Sequence, residues 1–185
     1  MGNRSGRICP VERAGSLDSR LRRWVQNPWK IVGPYLKEGM TVLDLGCGPG
    51  FFSIEMAKMV GAAGRVIAAD LQAGMLDKIK KKIEHSELEE RIILHPCGRK
   101  EIGATGPVDF VLLFYMVHEV PDRRAMFEEI ATLLSPGGCV LVVEPPFHVS
   151  QKAFAASVAV AEAVGFKVES RPKVPLSKAV ILKML

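Results

Sequence analysis

The sequence predicts a doubly wound α/β fold in which seven strands form one mostly parallel sheet, ending in an antiparallel hairpin. Three observations carry this prediction. Short runs rich in valine, isoleucine and leucine alternate along the chain with longer stretches at helical spacing. The inner strand runs read as nearly continuous apolar stretches, as expected of parallel strands that are covered on both faces. The last two runs are joined by a short link containing proline, too short for a crossover helix.

The predicted strands and helices follow one another from residue 41 to residue 185. The runs with strand length and strand composition are 41–46, 65–70, 91–95, 108–117, 139–144, 166–170 and 178–185. The stretches with helical spacing are 51–60, 71–90, 122–135 and 150–164. The helix at 122–135 is expected to end before Pro136-Gly137-Gly138, because proline and glycine seldom continue a helix.

Residues 1–36 precede the predicted sheet and form a segment of their own. This segment carries an apolar stripe at helical spacing, formed by Leu17, Leu21, Trp24 and Val25. The sheet does not need this stripe, but the stripe must still be buried, and the open place for it is the crevice where a ligand would bind. We therefore predict that residues 1–36 form a helical lid over that crevice. A helix packed permanently on the sheet and a dimer contact are the alternatives, so the oligomeric state stays open.

Composition excludes two classes of protein. The chain has 185 residues, enough for one domain, with 48% apolar and 24% charged residues. A disordered chain would lack the apolar surface that offsets its ordering entropy. No uncharged apolar run approaches the roughly 18 residues needed to cross a bilayer. The basic N-terminus has no apolar core of the kind that a secretory signal requires, so a cytoplasmic location is predicted.

Charge and cysteine content say less about partners. The net charge is +5, and basic residues are concentrated in residues 1–30 and at Lys78, Lys80, Lys81 and Lys82. Such a balance permits an anionic partner such as nucleic acid, but a solvated helix face is the simpler interpretation. The four cysteines have neither paired nor zinc-type spacing, so no metal site and no disulfide framework are predicted.

A glycine-rich loop after the first strand is the strongest functional feature. Residues 44–50 read Asp-Leu-Gly-Cys-Gly-Pro-Gly and lead directly into a predicted helix. Glycines at such a position let the backbone turn tightly and let a ligand approach without meeting a Cβ atom. The second strand ends in Asp70, where a carboxylate can accept hydrogen bonds from both ribose hydroxyls of a nucleoside.

The spacing within this loop distinguishes two classes of ligand. A dinucleotide site requires a third glycine beneath the pyrophosphate, and this chain has Phe51 there. Asp44 would also lie badly beside a pyrophosphate and well beside a cationic amine. A ligand that carries a ribose, an ammonium and a sulfonium fits better, and S-adenosylmethionine is that ligand.

Four motifs together resemble the class I S-adenosylmethionine-dependent methyltransferases. They are VLDLGCGPG at 42–50, Asp70 after the second strand, VDFVLLFYMVHEV at 108–120 and LSPGG at 134–138. The resemblance covers roughly residues 36–185 and is greatest to the branch with the ubiquinone and menaquinone C-methyltransferases. It implies that residues 37–185 form an S-adenosylmethionine-binding methyltransferase domain that acts on a small-molecule acceptor.

The resemblance places the methionine end of the cofactor against the glycine loop. Gly46, Gly48 and Gly50 would line the methionine moiety, together with Cys47 between them. Asp44 would meet the amino group of that moiety.

The adenosine end is assigned in the same way. Asp70 would hold the ribose hydroxyls, Leu71 would pack on the adenine, and Phe114 would face the cofactor from the fourth strand. The family often has an acid or amide after the third strand, near the adenine amino group, but this chain reads Cys-Gly-Arg at 97–99. A backbone contact from Gly98 is the expected substitute.

The acceptor side offers several candidates for a general base, which is needed only when the acceptor must lose a proton. His118 is the first candidate, since the resemblance places it at the mouth of the cofactor pocket, and Glu119 follows it. Each has a structural alternative: His118 could satisfy the backbone of its turn, and Glu119 could favour the start of the next helix. Glu144 and His148, after the fifth strand, are weaker candidates.

Two other functions remain as alternatives. A methyltransferase for RNA or another nucleic acid would fit the positive charge, but the only Pro-Pro-aromatic motif, at 145–147, follows the fifth strand and not the fourth. No appended RNA-binding module is recognisable. A non-catalytic cofactor-binding protein could keep the glycine loop without the chemistry. We predict a methyltransferase for a small molecule.

Overall fold

The computed structural model describes residues 25–185, and its centre is one seven-stranded sheet. The strands are β1 (Thr41–Leu45), β2 (Arg65–Asp70), β3 (Ile92–Pro96), β4 (Val108–Phe114), β5 (Leu134–Glu144), β6 (Phe166–Ser170) and β7 (Lys178–Met184). Their order across the sheet is β3-β2-β1-β4-β5-β7-β6. The first five strands are parallel, whereas β7 is antiparallel to both β5 and β6. The predicted fold class is therefore confirmed.

Helices cover both faces of this sheet. They are α1 (Pro28–Ile31), α2 (Ser53–Met59), α3 (Ala73–Ile83), α4 (Arg123–Leu133) and α5 (Gln151–Val164). Within the described residues, 3₁₀ turns lie at Gly33–Tyr35 and Val117–Glu119. In the part of the chain that the structure describes, no helix is both long enough and apolar enough to cross a membrane.

The core has two halves, one on each face of the sheet. Successive residues of a strand point to opposite faces, so Val42 packs with α2 and α3 while Leu43 packs with α4 and α5. In β4, Phe110 and Leu112 belong to the first half and Val111 to the second. All five are fully buried, which explains why the inner strands are mostly apolar.

Several element boundaries differ from the prediction for local reasons. β4 ends at Phe114 instead of residue 117, because Tyr115 has a left-handed φ of +60°. α3 ends at Ile83 instead of residue 90, and His85 is left-handed as well. Residues 136–138, predicted as a break before β5, lie within it. Leu134 pairs with Val108 and Cys139 with Phe110, so the extra residues between them are taken up by an irregularity in the ladder.

The end of the segment before the sheet packs into the core. Ile31 and Val32 are buried there, and the Tyr35 ring lies parallel to the Phe110 ring at a centroid distance of 6.1 Å. The Trp29 indole N–H donates to the Glu55 carboxylate in α2 at 3.0 Å. Of the predicted apolar stripe, Val25 is half-buried, and Leu17, Leu21 and Trp24 lie outside the described residues. The lid stays a prediction.

Candidate functional site

The carboxyl ends of β1 and β4 define where a ligand can enter the fold. β2 and β3 lie on one side of β1, and β4 and β5 lie on the other, so the strand order reverses between β1 and β4. In open α/β sheets the crevice outside the strand ends at such a switch point is the usual ligand site. The glycine loop, Asp70 and the residues after β4 all lie at this edge.

The glycine loop turns sharply at the end of β1. Gly46, Gly48 and Gly50 all have left-handed φ angles, of +73°, +53° and +83°. A Cβ atom on Gly50 would lie 2.8 Å from Cγ1 of Ile79 in α3, and one on Gly46 would lie 3.0 Å from Cβ of Met116 after β4. The loop is thus held between α3 and the end of β4.

Asp70 ties this loop to the end of β2. The backbone N–H of Gly48 donates to Oδ2 of Asp70 at 2.8 Å, and the N–H of Gln72 donates to Oδ1 at 2.9 Å. Burial raises the pKa of the Asp70 carboxyl, while backbone hydrogen bonds from Gln72, Gly48 and Leu71 lower it in part. Each carboxylate oxygen has further lone-pair capacity, which leaves room to accept hydroxyl donors.

These residues fit the predicted cofactor. A Cβ atom on Gly48 would meet nothing within 4 Å, so the open space lies directly at the loop, beside the Asp70 carboxylate to which Gly48 is bonded. A carboxylate that is 7% exposed and held by backbone donors is a well-fixed acceptor for ribose hydroxyls. S-adenosylmethionine, when bound, would supply an electrophilic methyl group on a sulfonium.

Asp44 and Cys47 lie deeper in the fold than the glycines. Asp44 is 2% exposed, and its Oδ2 accepts a hydrogen bond of 2.6 Å from the Ser53 hydroxyl at the start of α2. The Cys47 side chain is also buried, and burial raises the pKa of its thiol well above the usual value. A contact between Asp44 and the amino group of the cofactor remains a prediction.

The other predicted cofactor contacts lie after β2, at the end of β4 and after β3. Leu71 is half-buried after β2, and Phe114 packs against Phe52 at a centroid distance of 4.4 Å. Gly98 is exposed, and its N–H donates to the Glu101 carbonyl at 2.9 Å. The Gly98 carbonyl is therefore the group that could accept from the adenine amino group.

On the acceptor side, the structure joins two residues that sequence reasoning weighed separately. The buried Glu144 carboxylate at the end of β5 accepts from the backbone N–H of His118 at 3.0 Å, and its Oε2 lies 2.6 Å from Nδ1 of the same residue. Nε2 of His118 is 3.9 Å from Oε1 of Glu119. The shared edge of β4 and β5 is a signal that could have predicted this pair.

The electrostatics of this cluster are coupled. The hydrogen bond to Glu144 raises the pKa of His118 most, burial and Arg123 oppose this rise, and the charges of Glu144 and Glu119 add to it. Burial raises the pKa of Glu119, His118 lowers it, and the Glu144 and Asp70 carboxylates raise it further. Glu119 therefore lies within electrostatic reach of both His118 and Asp70.

Tyr115 is a second feature that the sequence did not predict. Its hydroxyl accepts a hydrogen bond of 2.7 Å from the Gln26 side chain and lies 2.6 Å from the Ser177 hydroxyl. It also donates to the carbonyl of Leu176 at 3.3 Å. The residue directly after Phe114 thus ties the segment before the sheet to the loop before β7.

Comparison with known proteins identifies a family that matches the region containing this site. Residues 42–138 match the methyltransferase domain family. Over 125 residues, 68% of this chain, the sequence is 29% identical to the demethylmenaquinone methyltransferase of Oceanobacillus iheyensis and 30% identical to that of Halalkalibacterium halodurans. The crystal structure of a SAM-dependent methyltransferase from Aquifex aeolicus has a TM-score of 0.85 at 24% identity, and covers 96% of this chain and 100% of that one.

The match to the curated relatives is partial. The aligned region spans 52% and 50% of the two demethylmenaquinone methyltransferases, so this chain corresponds to about half of their length. The glycine loop, Asp70 and the residues after β4 all lie within residues 42–138, the region that matches the family.

Proposed function

The chain belongs to the methyltransferase domain family, and from that premise we propose that it transfers a methyl group from S-adenosylmethionine to a small-molecule acceptor. The observation that carries this proposal is the open space at Gly48 beside the buried Asp70 carboxylate. The site residues predicted from the sequence keep their proposed roles: Asp44, Gly46, Cys47, Gly48 and Gly50 at the methionine end, Asp70, Leu71 and Gly98 at the adenosine end, Phe114 facing the cofactor from β4, and His118 and Glu119 on the acceptor side.

The small-molecule acceptor is favoured over the two alternatives. The curated relatives are named for a quinone acceptor, which is a small molecule. Nothing in the described residues favours nucleic acid, and the Phe147 that follows Pro145-Pro146 is 89% exposed at the end of β5, not β4. A cytoplasmic location stays a prediction.

Binding of the cofactor is the first expected result. S-adenosylmethionine or S-adenosylhomocysteine at about a hundred times its dissociation constant should add about 2.7 kcal/mol of stability, because it binds only the native state. For a chain of this size that is a rise in melting temperature of about 5–10 °C. NAD at the same concentration should produce no shift. Differential scanning fluorimetry measures all three ligands.

Methyl transfer itself is tested with a donor that carries a labelled methyl group. Label should enter small molecules of a cell extract and not its RNA. Cofactor binding without any labelled product would favour the non-catalytic alternative. Labelled RNA, together with RNA binding that weakens steeply as salt rises, would favour the nucleic-acid alternative.

We also propose that residues 1–36 act as a lid over the acceptor side. Ile31 and Val32 would anchor the segment in the core, and the hydrogen bond between Gln26 and Tyr115 would hold the part before them at the end of β4. Gln26→Ala should then speed the release of S-adenosylhomocysteine severalfold, as measured by stopped-flow fluorescence. The loss of the hydrogen bond to Tyr115 should itself cost about 0.5–1.5 kcal/mol in stability.

Lys30→Ala is the matched control, because Lys30 is exposed on the same segment. It should change neither the release rate nor the stability. A Gln26→Ala variant that is strongly destabilised but releases the product at the normal rate would make the segment structural instead.

A further inference from the structure

The His118–Glu144 pair has a geometry that the proposed methyl transfer does not itself require. Glu144 is 1% exposed and bonds His118 at two points, the backbone N–H and Nδ1. The Arg123 side chain donates to the Val117 carbonyl at 3.1 Å and so fixes the turn that carries the histidine. Both the position and the ring orientation of His118 are therefore set by the surrounding structure.

This orientation decides which nitrogen can meet a ligand. A carboxylate only accepts hydrogen bonds, so the proton of a neutral His118 lies on Nδ1, toward Glu144. Nε2, on the other side of the ring, is then left as a bare acceptor. The His118 side chain is 26% exposed, and Glu119, which approaches Nε2 at 3.9 Å, is also within electrostatic reach of Asp70 at the cofactor edge.

We propose that His118 removes a proton from a hydroxyl group of the methyl acceptor, with Glu144 as the residue that positions it, and that the acceptor is accordingly a phenol or an enol. This inference rests on the proposed function. The acceptor O–H bond breaks as its proton passes to Nε2, and its electron pair makes the acceptor nucleophilic at oxygen or at the adjacent carbon. The new bond forms to the methyl carbon, and the sulfur keeps the electron pair of the broken S–CH₃ bond. If carbon is methylated, the proton on that carbon leaves to solvent, and the resulting phenolate or enolate oxygen takes a proton back from the His118 imidazolium. If oxygen is methylated, the His118 imidazolium gives its proton to solvent instead.

The charges around His118 narrow the class of acceptor. Glu144 on β5, Glu119 on the same turn and Asp70 near Glu119 make the cluster acidic, and Arg123 from α4 is the opposing cation. The charges of Glu144 and Glu119 favour the protonated form of His118 and so strengthen its imidazole as a base. A protonated amine would have to lose one proton before attack and another after it. An alkyl alcohol is too weak an acid for an imidazole, whereas a phenol or enol is within its range.

The kinetic test compares two acceptors with the same ring system. The probes are 2-naphthol and 2-naphthalenethiol, and at pH 8 the thiol, the stronger acid, is already ionised and needs no base. His118→Asn should lower the turnover of 2-naphthol by roughly 10²–10⁴-fold, the usual contribution of general base catalysis. It should leave the turnover of the thiol nearly unchanged. His85→Asn is the control, because His85 is exposed and its φ of +61° suits asparagine.

The pH profile and the histidine tautomer test the role of Glu144. In Glu144→Gln the amide can donate to Nδ1, which moves the imidazole proton to Nε2 and removes the base. Nitrogen-15 NMR should report the proton on Nδ1 in the wild type and on Nε2 in the variant, with assignment from the His118→Asn spectrum. Because Glu144 raises the pKa of His118, the acid limb of the wild-type rate should lie above the ordinary histidine value. The limb should move to lower pH in Glu144→Gln.

Three results would overturn this assignment: equal losses for both probes, wild-type turnover of the thiol but not of the naphthol, or a histidine tautomer that Glu144→Gln does not change. Calorimetric binding of S-adenosylhomocysteine separates this failure from that of the proposed function. Binding that is normal in all variants, with equal losses for both probes, rejects only the proton transfer. A wild type that does not bind S-adenosylhomocysteine rejects the proposed function itself.

Discussion

Replacing Asp70 by alanine is expected to raise the dissociation constant for S-adenosylhomocysteine about 10- to 150-fold. This corresponds to about 1.5–3 kcal/mol, the range for hydrogen bonds to a charged group. The loss has two sources in the structure. The carboxylate would no longer accept the ribose hydroxyls, and the N–H groups of Gly48 and Gln72 would lose the acceptor that fixes them. Isothermal titration calorimetry measures the change.

Two further variants separate these sources. Asp70→Asn keeps one acceptor oxygen and should lie between the wild type and Asp70→Ala in affinity. Asp109→Ala is the matched control, because Asp109 also accepts a backbone N–H, from Thr41 at 2.9 Å, but at the start of β4. It should lower stability without changing affinity. An Asp70→Ala variant with wild-type affinity would mean that the ribose binds elsewhere.

Lowering the pH should also weaken cofactor binding, because it protonates the Asp70 carboxylate. Burial raises the pKa of Asp70, so this carboxylate takes up its proton at a higher pH than an exposed aspartate does. A protonated carboxyl is a poorer acceptor, and affinity should fall as the pH drops through that raised pKa. In Asp70→Ala this part of the pH dependence should be absent.

The sequence predicted the sheet because its strands are buried on both faces, and a stretch such as residues 110–114 of β4 then has no polar residue to interrupt the pattern. It did not predict strand ends that depend on backbone conformation. Tyr115 follows five apolar residues and continues the pattern of β4, yet its left-handed φ ends the strand. The extra residues of β5 opposite Val108 and Phe110 likewise depend on pairing between distant segments.

The candidate site likewise has local features that could be predicted from the sequence and long-range contacts that could not. The glycine loop is local in sequence, so its turn and its place after β1 could be predicted from residues 44–50 alone. The pairing of His118 with Glu144 joins residues 26 positions apart, and the contact of Gln26 with Tyr115 joins residues 89 positions apart. Such contacts depend on strand order, which the spacing of apolar residues does not contain.

Gly48→Ala should separate ligand binding from folding more sharply than any other change in the loop. The left-handed φ of +53° should cost an alanine about 1–2 kcal/mol of stability. The added methyl group would meet no protein atom within 4 Å, so it should add no packing strain to the ligand-free protein. It would, however, enter the space that we assign to the methionine end of the cofactor.

We therefore expect Gly48→Ala to weaken binding of S-adenosylhomocysteine by about 1–3 kcal/mol, the cost of an extra methyl group in a packed site, or about 5- to 150-fold. Gly39→Ala is the control, since Gly39 is exposed, has a φ of +84° and also has open space around its added Cβ. It should show a similar loss of stability with unchanged affinity. Gly50→Ala should instead lose more stability than either, because its Cβ would press on Ile79 at 2.8 Å. Calorimetry measures the affinity of the three variants, and thermal unfolding measures their stability. Wild-type affinity in Gly48→Ala would place the cofactor away from this loop.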